Sequence, residues 1–241
     1  MTAQPIPKII HYCWFGGNPL PASAMECMKS WTKYMPDYEI RRWDESNFDV
    51  NETAYCAEAY KKGKYAFVSD YARFKILYEN GGIYLDTDVE IIRPLDKIVH
   101  LGPFMGIENG IFVNPGLGMG AVARMYLLEE ILKHYSKLKF IKDNGAINYD
   151  TVVVHTTNIL KKHGWTGAEG SVAGFKIYDK EYFCPLDYET NRLSVTARTH
   201  TIHHYSATWI TPWQLLYRRI ANIFGERFAH FCSSIIKRKL K

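Results

Sequence analysis

Apolar and polar residues alternate from Ile83 to Ile91, directly after the Gly81-Gly82 pair. Alternation with a period of two predicts a β-strand whose apolar face is buried against a core. The polar face of this strand would then carry four side chains, those of Tyr84, Asp86, Asp88 and Glu90. The chain must therefore form a sheet that presents carboxylates on one side of a buried strand.

The two aspartates of this segment would lie about 6–7 Å apart along the strand. Their repulsion at that separation is roughly 2–3 kcal/mol at an effective dielectric constant of about 20. A divalent cation such as Mg²⁺ or Mn²⁺ takes oxygen ligands and would neutralise the pair, with phosphates completing its coordination. An Asp-x-Asp pair also occurs on solvated edge strands, so the motif alone predicts either a metal site or an acidic strand face.

Strand-like and helix-like patterns alternate along much of the chain. Strands are predicted near 8–15, 38–43 and 104–113, and helices near 22–34, 53–62, 69–79 and 121–135. Ser69 would cap the helix before the acidic strand, with Asp70 in its first turn and Gly81 after its last residue. Strands separated by helices of this length predict an α/β fold with a parallel or mixed sheet flanked by helices.

Composition narrows the class of protein. The 241 residues are 47% hydrophobic, which is enough for one large domain with a full core. The five cysteines are scattered without a Cys-x-x-Cys motif, so the sequence predicts neither a disulfide framework nor a zinc site. The N-terminus lacks the features of a signal peptide, and no apolar run has the length of a membrane span. These features lead us to expect a cytoplasmic protein.

Positive charge is concentrated in residues 214–241. Seven Lys or Arg residues and one acid are interspersed there with apolar residues spaced mostly by three, four or seven. This pattern is typical of a basic amphipathic helix, or of two helices separated near Gly225. It predicts a tail beyond a domain at 1–213, either packed on that domain or bound to an anionic membrane surface. The rest of the chain is nearly charge-balanced and has no nucleic-acid motif, so nucleic acid is not an expected partner.

Two further groups of residues could carry chemistry. Asp70 and Arg73 are three residues apart and share one helix face. They predict either a local ion pair or a carboxylate for sugar hydroxyls beside a guanidinium that neutralises a leaving oxygen. In the segment from His203 to Trp209, a histidine could be a third metal ligand and the Trp209 N–H could donate to a phosphate. Taken alone, the segment is better explained by a packed surface turn with paired imidazoles.

Three blocks of the sequence together resemble the DXD-type sugar transferases of glycosyltransferase family 32. The blocks run from Ile6 to Gly16, from Ser69 to Asp88 and from His203 to Trp209. That family includes bacterial capsule and lipopolysaccharide glycosyltransferases and fungal initiating mannosyltransferases, and the glucosylating domains of large bacterial toxins are more distantly similar. The resemblance implies a GT-A fold, a nucleotide-sugar donor such as a UDP-sugar, a divalent metal and retention of the anomeric configuration.

The resemblance also implies which residues bind the donor. Trp14 would stack on the nucleotide base, with Tyr84 beside the nucleotide and Trp209 at the phosphates. Asp70 and Arg73 would hold the donor sugar. These five residues would bind the nucleotide and the sugar of the donor.

The metal ligands follow from the same resemblance. Asp86 would contact ribose, sugar and metal, whereas Asp88 and His204 would ligate Mn²⁺ or Mg²⁺ directly. The toxin domains carry a carboxylate at the position of His204, and His203 could take its place. The metal would stabilise the nucleoside-diphosphate leaving group. Since the leaving phosphate assists proton removal in this family, no protein base is predicted.

The expected activity is transfer of a hexose to a lipid-linked surface polysaccharide, by an enzyme peripheral to the inner face of the membrane. The alternatives are an Asp- and metal-dependent phosphohydrolase or nucleotidyltransferase, and a sugar-binding scaffold without turnover. A third alternative comes from Gly116 to Gly120, which with Ala121 matches the dinucleotide-binding pattern G-x-G-x-x-A of NAD-dependent oxidoreductases. Pro115 and the absence of a suitable acidic residue argue against it, and a flexible loop near donor or acceptor is the preferred prediction.

Overall fold

The structure, a computed structural model, describes residues 4–108, 111–187 and 192–206. In chain order, its elements are β1 (Ile9–Cys13), α1 (Ala22–Tyr34), β2 (Glu39–Trp43), α2 (Ala54–Lys61), α3 (Tyr65–Asn80), β3 (Gly82–Tyr84), β4 (Val89–Ile91), α4 (Asp96–His100), β5 (Phe104–Ile107), β6 (Val113–Asn114), β7 (Met119–Ala121), α5 (Tyr126–Tyr135), α6 (Val152–Lys162), β8 (Gly170–Val172), β9 (Phe175–Tyr178), α7 (Lys180–Phe183) and β10 (Thr201–His203). Strands and helices alternate through the first half of the chain, as the sequence pattern predicts.

The central sheet is mixed, which confirms the predicted α/β class. Its strands lie in the order β2-β1-β3-β7-β5-β9-β8, with β6 beside β5. β1 is parallel to β2 and β3, and β5 is parallel to β9, whereas the other pairs are antiparallel. A separate two-stranded ribbon pairs β10 with β4 antiparallel, opposing His203 to Val89. This ribbon brings the late histidine segment beside the acidic segment.

Two hydrophobic clusters cover the two faces of the sheet. Ile83 and Phe104 belong to one cluster, and their chain neighbours Tyr84 and Met105 belong to the other. Because successive side chains of a strand point to opposite faces, both sides of the sheet are packed. Helix α3 lies within the cluster that contains Tyr84 and Met105, and nine of its 16 residues are buried. Such burial places polar residues of α3 inside the protein.

Helix α3 begins one turn earlier than predicted. It starts at Tyr65, so the prediction that Ser69 caps the helix and that Asp70 lies in its first turn is wrong. The buried apolar side chains of Phe67 and Val68 extend the helix toward its N-terminus, and the Ser69 hydroxyl instead donates to the Tyr65 carbonyl at 3.2 Å. The predicted C-terminus is confirmed, since Gly81 follows the helix with φ of +65°.

The acidic segment is not one continuous strand. β3 ends at Tyr84 and β4 begins at Val89, because the intervening backbone leaves the ladder. The Leu85 N–H donates to the His11 carbonyl at 3.1 Å, and the Asp86 N–H donates to the Gly116 carbonyl at 3.0 Å. The two aspartates therefore lie in a turn between two short strands. In a turn, their side chains are not restricted to the directions that a straight strand would impose.

The glycine-rich segment also differs from its predictions. The region near 104–113 forms two strands rather than one, and residues 119–121 form strand β7, so the following helix starts only at Tyr126. A dinucleotide-binding turn opens a helix directly, which this segment does not do. The oxidoreductase alternative is thereby wrong, and so is the flexible loop, because residues 116–120 are all buried.

No helix in the described ranges combines the length and the apolar character needed to cross a membrane. The predicted domain at 1–213 is described as far as residue 206. The tail at 214–241 and Trp209 lie outside the described residues, and both stay predictions.

Candidate active site

A cavity of about 890 Å³ opens where β1, α3, the acidic turn, the β5–β6 hairpin and the segment after β10 meet. Among the residues that the structure describes, it is lined by all but one of those predicted for the site, namely Trp14, Asp70, Arg73, Tyr84, Asp86 and Asp88. The exception is His204. One cavity thus collects residues from the first strand, the central helix and the acidic turn.

Arg73 is the central charge of the site. Its Nη2 lies 3.0 Å from Asp70 Oδ1, its Nη1 lies 3.3 Å from Asp86 Oδ2, and its guanidinium carbon stacks 4.8 Å from the centre of the Tyr84 ring. Burial alone would lower the pKa of Arg73, but the facing Asp86, Tyr84 and Asp70 reverse this and raise it. The side chain, only 4% exposed, is a fixed cation that links the helix to the acidic turn.

The ion pair predicted between Asp70 and Arg73 is confirmed, and it is buried rather than superficial. Asp70 Oδ2 also accepts the Val152 N–H at 3.1 Å, which ties the carboxylate to the start of α6. Burial raises the pKa of Asp70 to about 6, because Arg73 opposes this effect only in part and Asp86 adds to it. Arg73 also pairs with Asp86, so it stabilises the ionised form of Asp70 only in part.

Asp86 is oriented from two sides. The Tyr84 hydroxyl donates to its Oδ1 at 3.1 Å, and Arg73 faces its Oδ2. Tyr84 itself is 1% exposed, so it acts on the cavity mainly by orienting the Asp86 carboxylate. A quarter of the Asp86 side chain remains exposed, at 28%, which leaves its oxygens accessible to a bound molecule.

Gly116 makes room for the contact between Asp86 and Arg73. A Cβ atom at this position would lie 1.8 Å from Asp86 Oδ2 and 2.9 Å from Arg73 Nη1. Its N–H donates to Asn114 Oδ1 at 2.7 Å, which fixes the backbone against the site. The sequence pattern around Gly116 suggests a dinucleotide-binding turn or a flexible loop, and only the packing reveals its contact with Asp86 and Arg73.

Asp88 is held by the segment that follows β10. Its Oδ1 lies 3.2 Å from His203 Nε2, and its Oδ2 accepts the Ser206 N–H at 2.9 Å. Burial alone would raise the pKa of Asp88, but His203 and Ser206 outweigh it and hold the pKa well below its usual value. Asp88 also outweighs the effect of burial on His203 and raises the pKa of that imidazole well above its usual value.

The two adjacent histidines have different positions. His203 is 8% exposed and lines the cavity, whereas the His204 imidazole points away from it and lies 2.8 Å from Glu90 Oε2. Neighbouring residues of a strand alternate between faces, so pairing of β10 with β4 brings only one of them to Asp88. Of the two candidate ligands, the structure brings the His203 imidazole to the acidic turn, whereas His204 contacts the turn only through its backbone N–H, which donates to the Asp88 carbonyl at 3.0 Å.

Trp14 lies at the mouth of the cavity, near Pro19 and Pro21. Its indole N–H donates to the Asn18 carbonyl at 2.6 Å, which fixes the ring orientation. The ring is partly exposed, so one of its surfaces can contact a planar ligand. This placement suits the predicted base-stacking role.

The acidic turn fits a hard divalent ion. Asp86 and Asp88 supply carboxylate oxygens to one cavity, and oxygen ligands are those that Mg²⁺ and Mn²⁺ prefer. Each carboxylate is oriented by neighbouring donors, as the ligands of metal sites usually are. Each oxygen keeps a further lone pair beyond its hydrogen bond.

Sequence reasoning missed Glu108, Asn114 and Cys184, which surround the predicted residues. Asn114 Nδ2 donates to Glu108 Oε1 at 3.1 Å, and both side chains line the cavity. Cys184 lies behind them, 3.0 Å from the Tyr205 hydroxyl. They stand in separate elements without a recognisable spacing, so no sequence signal could have grouped them.

Residues 21–104 match the family described as "Glycosyltransferase sugar-binding region containing DXD motif". The chain is 39% identical over 171 residues to inositol phosphoceramide mannosyltransferase 3 of Schizosaccharomyces pombe. This match covers 67% of the chain and 45% of that relative. It is 36% identical over 153 residues to a glycosyltransferase of Acanthamoeba polyphaga mimivirus, covering 59% of each protein. The chain thus spans about half the length of these relatives.

The fold is similar to that of mouse xyloside xylosyltransferase 1, with a TM-score of 0.51 and 12% identity over 86% of this chain and 100% of the other. This likeness concerns the fold alone, which is the GT-A arrangement that the family resemblance implies. The resemblance to fungal mannosyltransferases and related sugar transferases is confirmed by the sequence matches. Residues 21–104 therefore carry a DXD-containing glycosyltransferase sugar-binding region, and the chain around it is similar to fungal mannosyltransferases and viral glycosyltransferases.

Proposed function

We propose that the protein is a metal-dependent, retaining glycosyltransferase that moves a sugar from a nucleotide-sugar, most simply a UDP-sugar, to a glycan acceptor. One observation carries this proposal. Asp86 and Asp88 line a single cavity together with the buried Asp70–Arg73 pair. A carboxylate pair for a metal diphosphate beside a polar pair for a sugar is the arrangement that this reaction requires.

Asp70 and Arg73 would bind the donor sugar. The Asp70 carboxylate is fixed by Arg73 and by the Val152 N–H, so its remaining lone pairs have a defined direction toward sugar hydroxyls. Arg73 faces Asp86 and would also stabilise negative charge that develops on the leaving oxygen. Because both groups are already oriented, donor binding requires little rearrangement of them.

Asp86 and Asp88 would hold Mn²⁺ or Mg²⁺, which when bound neutralises the diphosphate and stabilises it as a leaving group. His203 keeps the Asp88 carboxylate in place from behind. In this proposal the imidazole that acts on the metal site is that of His203, because the His204 side chain contacts Glu90 instead. The predicted direct ligation by His204 would need its ring to turn away from that carboxylate.

Trp14 would stack on the nucleotide base at the cavity mouth, and Trp209 would donate to the phosphates. Retention follows from the family resemblance, in which the acceptor attacks on the face from which the diphosphate leaves. The leaving phosphate then takes the acceptor proton. No side chain of the cavity is assigned as the base.

The acceptor is proposed to be a lipid-linked glycan of a surface polysaccharide, reached at the inner face of the membrane. Two observations support a lipid-linked acceptor. The residues at 214–241 have the pattern of a basic amphipathic helix, and basic residues near an anionic leaflet contribute about 1 kcal/mol each. One relative is named as a transferase acting on a phosphoceramide.

The function is tested with a panel of UDP- and GDP-sugars, with mass spectrometry to detect metal-dependent release of free sugar or transfer to added acceptors. We expect turnover of one donor with Mn²⁺, loss of that turnover with a chelator, and its near abolition in Asp88→Asn. Glu90→Gln is the matched control, because Glu90 lies in the same segment and contacts His204 rather than the cavity. Asp88→Asn activity within a few-fold of the unmodified protein would refute the proposed metal role.

The membrane part of the proposal has its own test. Removal of residues 214–241 should abolish sedimentation with anionic liposomes while preserving donor hydrolysis. Unchanged liposome binding in the truncated protein would remove the tail from the account and leave the transferase proposal intact.

A further inference from the structure

Behind the acidic turn lies a group of three side chains that the proposed reaction does not use as ligands. Glu108, Cys184 and His203 each place one ligand atom within 4.8 Å of the others. They come from three elements, since Glu108 follows β5, Cys184 ends α7 and His203 belongs to β10. Cys184 is 2% exposed and His203 is 8% exposed, so the group is enclosed by the fold.

The His203 ring has one nitrogen engaged and one without a partner. Nε2 lies 3.2 Å from Asp88 Oδ1, whereas the buried Nδ1 has no hydrogen-bond partner among the described residues and lies 3.9 Å from Glu108 Oε1. An unsatisfied buried polar atom destabilises the folded protein, and an additional ligand would remove that cost. A cation bound at Nδ1 would replace the second ring proton.

The second nitrogen of His203 has the partner that a metal-bound histidine usually has. Histidines that bind a metal through one ring nitrogen donate the other N–H to a carboxylate or carbonyl, which fixes the ring. Asp88 is in place to accept that N–H. The geometry is therefore that of a ligand already oriented for a cation on its Nδ1 side.

The donor atoms favour a different metal from that of the acidic turn. A thiolate, an imidazole and a carboxylate are the ligands of Zn²⁺ and similar thiophilic ions, whereas two carboxylates suit Mg²⁺ or Mn²⁺. The Tyr205 hydroxyl lies 3.0 Å from Cys184 Sγ and stands beside the group. The ligand atoms would have to close by about 1 Å to reach the separations of tetrahedral zinc, a movement that side-chain rotation can supply.

We propose that Glu108, Cys184 and His203 form a second cation site that selects Zn²⁺ or another thiophilic divalent ion. This site is distinct from the one formed by Asp86 and Asp88, and it does not depend on the proposed transferase activity. Asp88 joins the two sites, because it would be a ligand of one and the hydrogen-bond acceptor for a ligand of the other. Occupation of the second site would therefore fix the position of Asp88.

The test is a titration of the metal-free, full-length protein with Co²⁺, followed by absorption spectroscopy. Cobalt bound to a thiolate gives a sulfur-to-metal charge-transfer band, which oxygen ligands do not give. We expect this band in the unmodified protein, its loss on addition of Zn²⁺ and its absence in Cys184→Ser. Cys27→Ser should keep the band, because the cluster does not include this cysteine.

Two further variants separate the two metal sites without any activity assay. Asp86→Asn should retain the band unchanged. Asp88→Asn should also retain it but weaken Co²⁺ binding by about 10- to 100-fold, the usual effect of losing the carboxylate behind a metal-bound histidine. Circular dichroism establishes whether each variant is folded. If Cys184→Ser does not fold, Glu108→Gln takes its place as the test variant and should weaken Co²⁺ binding.

The proposal is overturned if the unmodified protein binds Co²⁺ without a thiolate band. It is overturned equally if the band survives in folded Cys184→Ser, since the thiolate would then belong to another cysteine. Failure of either kind leaves the transferase proposal untouched, and inactivity of the enzyme leaves the cobalt result untouched.

Discussion

Asp86 and Asp88 are two residues apart, yet they are held by different parts of the molecule. Asp86 is held by Arg73 of the buried helix α3 and by Tyr84 of the adjoining strand. Asp88 is held by His203 and Ser206, which lie more than a hundred positions later in the chain. The site therefore has two halves. The Arg73 half, with Asp70, Tyr84 and Asp86, is built from nearby sequence, whereas the His203 half, with Asp88 and Ser206, depends on a distant segment.

The two halves also differ in the way they fix charge. Arg73 is shared between Asp70 and Asp86, so the cation serves two carboxylates and the pKa of Asp70 is raised to about 6. His203 lies nearest to Asp88, at 3.2 Å, with Glu108 farther away at 3.9 Å, and the pKa of the Asp88 carboxyl is lowered. This difference implies that mutations in the Arg73 half should disturb both folding and activity, whereas those in the His203 half should act mainly on metal affinity.

The largest expected effect comes from Arg73→Ala. The change leaves Asp70 buried without its cation, and breaking a buried pair in this way costs about 3–5 kcal/mol of unfolding free energy. Urea denaturation measures the loss, and the added change Asp70→Asn should recover part of it. Arg41→Ala is the control, because its ion pair with Glu39 is exposed and such pairs contribute about 0–1 kcal/mol. Equal losses in the two single variants would contradict the account.

Gly116→Ala tests the close contact within the Arg73 half. The new methyl group would collide with Asp86 Oδ2, so we expect a loss of about 1–3 kcal/mol in stability together with a fall in turnover. Gly170→Ala is the matched control, because nothing lies within 4 Å of a Cβ there, and its effect should stay within about 0.5 kcal/mol. A fully active Gly116→Ala would show that the Asp86–Arg73 contact is dispensable.

The adjacent histidines allow the other half to be tested by one pair of variants. His203→Asn removes the group behind Asp88 and should weaken Mn²⁺ binding by about 10- to 100-fold, whereas His204→Asn should change it little. Isothermal titration calorimetry with Mn²⁺ and UDP gives both affinities. The reverse ranking would restore His204 as the ligand and show that its ring turns on binding.

The smallest effect concerns the pH dependence of the Arg73 half. The folded-state pKa of Asp70, about 6, lies above its unfolded value, so its contribution favours folding below the unfolded pKa and is lost as the pH rises through about 6. Activity should show the opposite trend, because the ionised carboxylate is needed for sugar hydroxyls, and kcat/KM should fall below about pH 6. Asp70→Asn should flatten both pH profiles. If kcat/KM of this variant still falls below about pH 6, the fall belongs to the titration of another group.

The part of the site that the sequence could predict is the part built from neighbouring residues. Asp70, Arg73 and Asp86 follow from helix spacing and strand alternation together with the family resemblance, and all three line the cavity. The α/β class follows from the alternating patterns for the same reason. Local periodicity reports local structure, even where the strand is interrupted at Leu85.

The rest depended on contacts between distant segments. The choice between His203 and His204 depends on the register of β10 against β4, which the isolated segment does not encode. The strand break at Leu85 depends on carbonyls of His11 and Gly116, and the role of Gly116 depends on a side chain that packs over it. Such features are fixed by tertiary packing, which overrides local pattern.

The central claim is that Asp86 and Asp88 jointly hold a divalent ion with the diphosphate of the donor. Electron paramagnetic resonance of Mn²⁺ titrated with protein and UDP tests this directly. The account predicts tight Mn²⁺ binding that requires UDP and is lost in both folded Asp86→Asn and folded Asp88→Asn, while Glu90→Gln binds normally. Undiminished Mn²⁺ and UDP binding in either aspartate variant would contradict it.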